Sequence, residues 1–272
     1  MKYKGKTTEE IVRDYRRRLR AKQGLLFLVY LLYAVLMLRA IWWQGAGLGT
    51  VLLGILILYL VTFLLGIWIS WGFLSLNWIL NQDCDPVTYT AVCRLLRKVH
   101  KRRRNQVNLA VNEAIGIQWC GRFSEAKDMA DRLAVPERDG LRQLLVRNLR
   151  FNCFVNLEDL ESARRVREET ARYAGTIRKP ALQKRAAELL TLMDCGLALC
   201  QRDYGTFRRL EEELSTSYKA NIQKVSSAFR LAQADLAQGE RENARARLEL
   251  VVEQGGTLYF VERARETLAA ME

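Results

Sequence analysis

Residues 25–80 carry a single charge, Arg39, in a chain whose flanks are dense with Lys and Arg. A hydrocarbon core of about 30 Å is crossed by roughly 20 apolar residues rising about 1.5 Å each. The stretch divides into two such pieces. Residues 25–43 form the first, the uncharged Gly-rich segment 44–49 is a break, and residues 51–71 form the second. Apolarity on every face excludes an amphipathic surface helix. Length without charge argues against two core helices of a water-soluble fold. The pattern predicts a transmembrane helical hairpin within residues 25–80. A cleaved leader fits less well, because Gln44, Gly45 and Ala46 make a poor small-x-small site and a second apolar span follows.

Flanking charge predicts the orientation. Residues 1–24 hold nine Lys/Arg against Glu9, Glu10 and Asp14, and residues 94–104 hold seven more with no acid. By the positive-inside rule both termini are expected in the cytoplasm and the Gly-rich loop outside, in a multi-pass protein of the plasma membrane. Arg16, Arg17, Arg18 and Arg20, with Lys101, Arg102, Arg103 and Arg104, are then expected at the anionic inner leaflet. Arg39, four residues before Trp43, is placed to snorkel to the outer headgroups. The formal net charge is +13, but residues 105–272 hold 26 basic and 25 acidic residues and contribute only +1. The high isoelectric point therefore belongs to two short segments beside the hairpin. A nucleic-acid binder spreads its basic footprint over a domain face, so this distribution argues against a nucleic-acid partner.

Residues 1–24 read as a basic amphipathic segment. Thr7 and Glu10 have capping-box spacing, and Ile11, Val12, Tyr15 and Leu19 share a face. Past the hairpin, Asp83, Cys84, Asp85 and Pro86 admit a metal or catalytic reading. They also make a plain helix start, with Asp85 as N-cap and Pro86 as first residue, which needs no chemistry. From there no strand pattern occurs. Helices are expected at about 86–102, 105–120, 123–134, 138–155, 158–172, 180–201, 203–216, 218–237, 240–253 and 257–270. The chain is thus read as all-α in three parts: residues 1–24, the hairpin 25–80 and a cytoplasmic helical domain 83–272.

The helices pair, and the pairs repeat. Gly121, Phe123 and Ala126 lie at a break, and Gly239 and Ala244 lie at another with the same Gly-to-Ala spacing. Glu158, Leu160 and Ala163, then Arg202, Tyr204 and Phe207, occupy equivalent places between them. The anchors Ala126, Ala163, Phe207 and Ala244 are 37, 44 and 37 residues apart, a period that marks a helical-hairpin solenoid. A single pair cannot bury its own apolar face, so several must stack. Over residues 105–254 this resembles the tetratricopeptide repeat family. Gly121, Phe123 and Ala126 match its Gly-x-aromatic-x-x-Ala turn, Ala114 matches the small residue of the first helix, and Leu231, Ala232, Gly239 and Ala244 match in the last repeat. The middle repeats depart, with Glu158 and Arg202 in place of the turn Gly and Phe207 in place of Ala. The order of hairpin, Asp83 to Pro86 and helical pairs also resembles uncharacterised bacterial membrane proteins. The final helix, about 258–270, is expected to cap the stack.

Chemistry is hard to find. The single histidine, His100, lies in a basic run, and no HExxH, GxxxxGK[ST] or GxGxxG pattern occurs. Six cysteines form no Cys-x-x-Cys and are expected as reduced thiols, those on apolar helix faces acting as small hydrophobes. Glu211, Glu212 and Glu213 read as a solvated charged face. No catalytic residue, cofactor or metal site is expected, and the chain is not read as an enzyme.

Two roles remain. The resemblance implies a protein-binding scaffold whose first helices line a groove, with Asn105, Asn108 and Asn112 on one helix and Asn148 and Asn152 on the next as candidate contacts for an extended peptide. The family's carboxylate clamp is not matched, since Val111 and Ile115 stand where its Lys and Asn would fall. Alternatively the chain is an accessory subunit of a transport or envelope-assembly complex. There the hairpin makes the specific contact, through a small-xxx-small pair, Gly66 and Ser70.

Overall fold

The computed structural model describes the chain except Met1, Lys2, Lys4, residues 45–47, Lys101 and Glu272, together with the side chains of 40–41, 43–44, 48, 50–51 and 68–74. Lys101 and the Ser70 side chain therefore lie outside the described residues. The described chain is helical, with no strand. It forms two compact units, Lys2–Trp78 and Ile79–Glu272.

The first unit holds α1 (Thr8–Gln44) and α2 (Leu48–Leu74), which pack on each other. The Thr7–Glu10 capping box forms in both directions: Thr7 N–H donates to Glu10 Oε2 at 2.9 Å, and Glu10 N–H donates to Thr7 Oγ1 at 3.3 Å. From that cap the helix runs unbroken for 37 residues, about 55 Å. The basic segment and the first apolar piece are thus one rod. Ile11 and Val12 are buried, Tyr15 and Leu19 half-buried, and Arg16, Arg17, Arg18 and Arg20 exposed. Among the described residues α1, over Thr8–Arg39, is long and apolar enough to cross a membrane, and Leu52–Ile67 within α2 is a shorter apolar helix. Of the 26 large apolar side chains exposed among the described residues, 20 lie between Leu25 and Ile67. The close approach of the two helices is at Gly54, where a Cβ would come within 2.9 Å of Met37 Sδ. At Gly66 a Cβ would meet nothing within 4 Å, so that glycine is not what lets α1 and α2 approach.

α2 stops at Leu74, and α3 (Asn77–Asn81) is a separate turn of helix. The second unit then contains α4 (Pro86–Val99), α5 (Arg103–Trp119), α6 (Phe123–Asp131), α7 (Gly140–Asn156), α8 (Leu160–Thr176), α9 (Pro180–Cys200), α10 (Tyr204–Ser215), α11 (Asn221–Ala237), α12 (Arg241–Gln254) and α13 (Phe260–Ala269). Asp85 is the N-cap of α4, its Oδ1 accepting from Thr88 N–H at 3.0 Å, with Pro86 at the first helical position.

Each helix from α4 to α13 packs on the next, and α5 also touches α7, as α7 does α9. One turn geometry joins α5 to α6, α7 to α8, α9 to α10 and α11 to α12. Gly121, Glu158, Arg202 and Gly239 all take left-handed φ, between 61° and 81°. At each, two hydrogen bonds close the preceding helix, as in Gly121 N–H to Gln118 O and Arg122 N–H to Ile117 O. This is the Schellman arrangement. The residues five positions on, Ala126, Ala163, Phe207 and Ala244, are all fully buried. Glu158 and Arg202 hold a conformation that costs an L-residue about 1–2 kcal/mol and glycine little. Glu158→Gly and Arg202→Gly are each expected to stabilise the protein by about 1 kcal/mol or less, net of the added unfolded-state entropy. The gain would read as a rise of roughly 2–4 °C or less in the melting temperature of the full-length protein in detergent.

The final helix does not cap an open end. The turn before it reaches back to the start of the unit: Thr257 N–H donates to Cys84 O and Thr257 Oγ1 to Asp85 Oδ1, both at 3.0 Å. A Cβ on Gly256, which has φ of +54°, would lie 2.5 Å from Cys84 O, so glycine is needed at this meeting. Tyr259 N–H donates to Trp119 O at 3.1 Å, and its hydroxyl to Asn156 Oδ1 at 2.9 Å. The helical array is closed, end against beginning.

Candidate functional site

The alternation of helices leaves α5, α7, α9 and α11 as an inner layer, and these four with α13 line a cavity of about 640 Å³. Its aromatic wall is built where the closing turn meets α5 and α11. Phe260 stacks on Phe229 with ring centroids 4.7 Å apart and meets Trp119 edge-on at 6.3 Å, while Tyr259 meets Phe123 edge-on at 5.0 Å.

Polar lining comes from α7, which meets the aromatics where Tyr259 bonds Asn156. Asn148, Asn152 and Asn156 follow at intervals of four, on one helical face. Asn152 Nδ2 donates to Asn148 Oδ1 at 3.1 Å, and Asn156 Nδ2 to Asn152 O at 2.8 Å. Asn148 and Asn152 therefore line the cavity, whereas Asn105, Asn108 and Asn112 do not. Those three lie nearer the start of α5, where Asn108 Oδ1 accepts from Arg142 Nε.

Arg230, from α11, sits at the cavity edge against Glu211. Its Nη2 lies 2.9 Å from both Glu211 oxygens, Tyr218 donates to Oε1 at 2.8 Å, and the Cys195 thiol is 3.3 Å from Oε2. Burial pushes the Glu211 carboxyl up. The Arg230 charge and the hydrogen bonds from Ser227, Tyr218 and Arg230 outweigh it and hold the group below the usual carboxylate range. Glu211 is 1 % exposed. It is a buried counter-ion, which corrects the expectation for Glu211, while Glu212 and Glu213 are exposed as expected. The Arg230 Nε–H is buried and has no hydrogen-bond partner.

A second, larger cavity lies at the starts of α5, α7 and α9 and shares no residue with the first. Arg103 and Arg104 line it and Arg102 does not, though all three are exposed.

Cys84, Cys93, Cys153 and Cys195 are buried, and burial pushes their thiols up to about 11 for Cys84 and about 12 for the others, so they stay protonated at neutral pH. His100 is the C-cap of α4, its N–H bonded to Leu96 O. No group of three or more His, Cys, Asp or Glu placed to hold a metal occurs among the described residues.

The asparagines were visible to sequence reasoning as a spacing of four. The aromatic wall was not, because Trp119, Phe229 and Tyr259 converge only when the array closes. The one available signal was that Trp119 and Tyr259 each stand beside a turn glycine pattern, at Gly121 and at Gly255 and Gly256. No protein-family model, curated protein or solved structure matches this chain.

Proposed function

We propose that the protein is a membrane-anchored interaction scaffold, in which a two-span hairpin with both termini in the cytoplasm holds a tetratricopeptide-like array at the inner leaflet. The observation that carries this reading is the 640 Å³ cavity, whose lining sets rigid aromatics beside a row of side-chain amides. Aromatic anchors beside a few placed polar groups are what peptide and small-ligand sites present. Asn148 and Asn152 would pair with the backbone of an extended segment, and the Arg230 Nε–H offers a further donor. Four repetitions of one turn geometry support the tetratricopeptide-like assignment. The outward apolar side chains of α1 and α2 and the basic flanks support the anchor and its orientation.

Photo-crosslinking in native membranes tests the reading. A crosslinker at Asn152 is expected to capture a discrete partner, and one at the exposed Glu212 is not. Asn148→Leu in the Asn152 crosslinker chain should weaken the capture, and exchange of residues 25–80 for an unrelated two-span anchor should leave it intact. Equal capture from both positions would sink the groove. Loss of capture on anchor exchange would favour the accessory-subunit reading, in which the hairpin makes the specific contact.

A further inference from the structure

We propose that the second cavity is a receptor for a phosphate-bearing ligand. It has a volume of about 1510 Å³. The first turn of α5 gives it Arg103 and Arg104, and the α6–α7 connection with α7 gives Arg138, Arg142 and Arg147. Arg178, Lys179 and Arg185 come from the α8–α9 connection and α9. Against these eight cations stand two acids, Glu137 and Asp139.

Asp139 is already ion-paired with Arg142. Arg147 is held by the Gln143 side chain and by the Tyr173 ring, 4.3 Å from its centroid. The other six cations have no ion pair among the described residues. Elsewhere in the same unit Arg94, Arg167, Arg208, Arg230 and Arg247 each meet a carboxylate. Like charges gathered without partners in one concavity repel one another, and a shared anion removes that repulsion.

The backbone adds to the same field. α5, α7 and α9 begin at the cavity with no side-chain cap, a state they share with α6, α12 and α13, and the N-cap of α7 is Asp139. Helix starts carry partial positive charge and free N–H groups, so three of them beside the cations favour an anion further. Seven of the eight cations are Arg, whose planar fork matches pairs of phosphate oxygens. The volume exceeds that of one phosphate and suits a group bearing several. Soluble polyphosphates and phosphorylated lipid headgroups share this chemistry.

The test uses the full-length protein in phosphatidylcholine nanodiscs, titrated with inorganic triphosphate by calorimetry. Saturable binding is expected, weakened about tenfold or more in R138A/R178A/R185A. A second arm adds phosphatidylinositol bisphosphate to the nanodiscs and follows deuterium exchange at 138–142 and 178–185. Protection from the lipid, reversed by triphosphate, assigns a headgroup. Protection by triphosphate alone assigns a soluble ligand. No saturable triphosphate binding, or equal binding by the triple variant, overturns the proposal. Without ligand the triple variant is expected to melt at or above the wild-type temperature. A fall would show that these arginines hold the fold together, and would also overturn it.

Discussion

Replacing Arg230 by methionine is expected to cost the fold about 3–5 kcal/mol, because it leaves the Glu211 carboxylate buried without its counter-ion. The side chain keeps roughly its length and apolar stem, so the loss is electrostatic. Tyr218 and the Cys195 thiol still reach the carboxylate, but neither supplies charge. The pH dependence should change sign. In the native chain the carboxyl is held below its ordinary range. Its contribution is therefore present above the unfolded-state value and lost as pH falls through the depressed one. In the variant, burial acts unopposed and raises the carboxyl above its ordinary value, so protonation relieves the penalty. The stability gap between the two proteins should narrow as pH falls toward the carboxylate range, followed by circular dichroism of the full-length proteins in detergent. A gap constant with pH would refute the assignment. Glu211→Met combined with Arg230→Met should recover most of the loss, since no charge is then stranded.

Phe207→Ala is the second large effect, expected at about 3–5 kcal/mol. Phe207 stands where the other turns have Ala126, Ala163 and Ala244, and like them it is 0 % exposed. The larger ring fits because Cys195, Ala198 and Ala234 face it, so bulk has moved from the surrounding helices onto the anchor. Truncating it leaves a void in a cluster that also holds Leu210 and Leu214. At Ala163 the balance is reversed, with Phe151 and Met193 filling the space. Denaturant unfolding of the full-length variant reads the loss directly. A cost below about 1 kcal/mol would mean that the site collapses freely and the exchange of bulk is not what holds α10 in place.

These two sites show what kind of information the sequence held. Local signals were readable: the Thr7–Glu10 box, the Asp85–Pro86 start, and the four turns, including Glu158 and Arg202, which adopt glycine's conformation without being glycine. Helix limits from α4 to α13 follow the spacing of apolar residues and turns to within a few positions. Contacts set by distance in space were not readable. Glu211 looked like one of three solvated acids, because nothing in its neighbourhood announces Arg230 nineteen residues on. Asn108 and Asn148 looked equivalent by spacing, yet Asn148 lines the aromatic cavity and Asn108 is taken by Arg142. The near-zero charge of residues 105–272 concealed six cations, from Arg138 to Arg185, that meet Arg103 and Arg104 around one cavity, since a sum over a segment keeps no record of where its members meet.

The bond between Thr257 and Asp85 joins residues 172 positions apart. Open helical arrays grow and shrink in evolution by duplicating or deleting a unit, because each unit sees only its neighbours. Here a duplicated pair would push Gly256 away from Cys84 and unlatch Tyr259 from Trp119, and with them the aromatic wall. The number of helices is therefore locked by the clasp, and change in this protein is confined to substitution within units of fixed count.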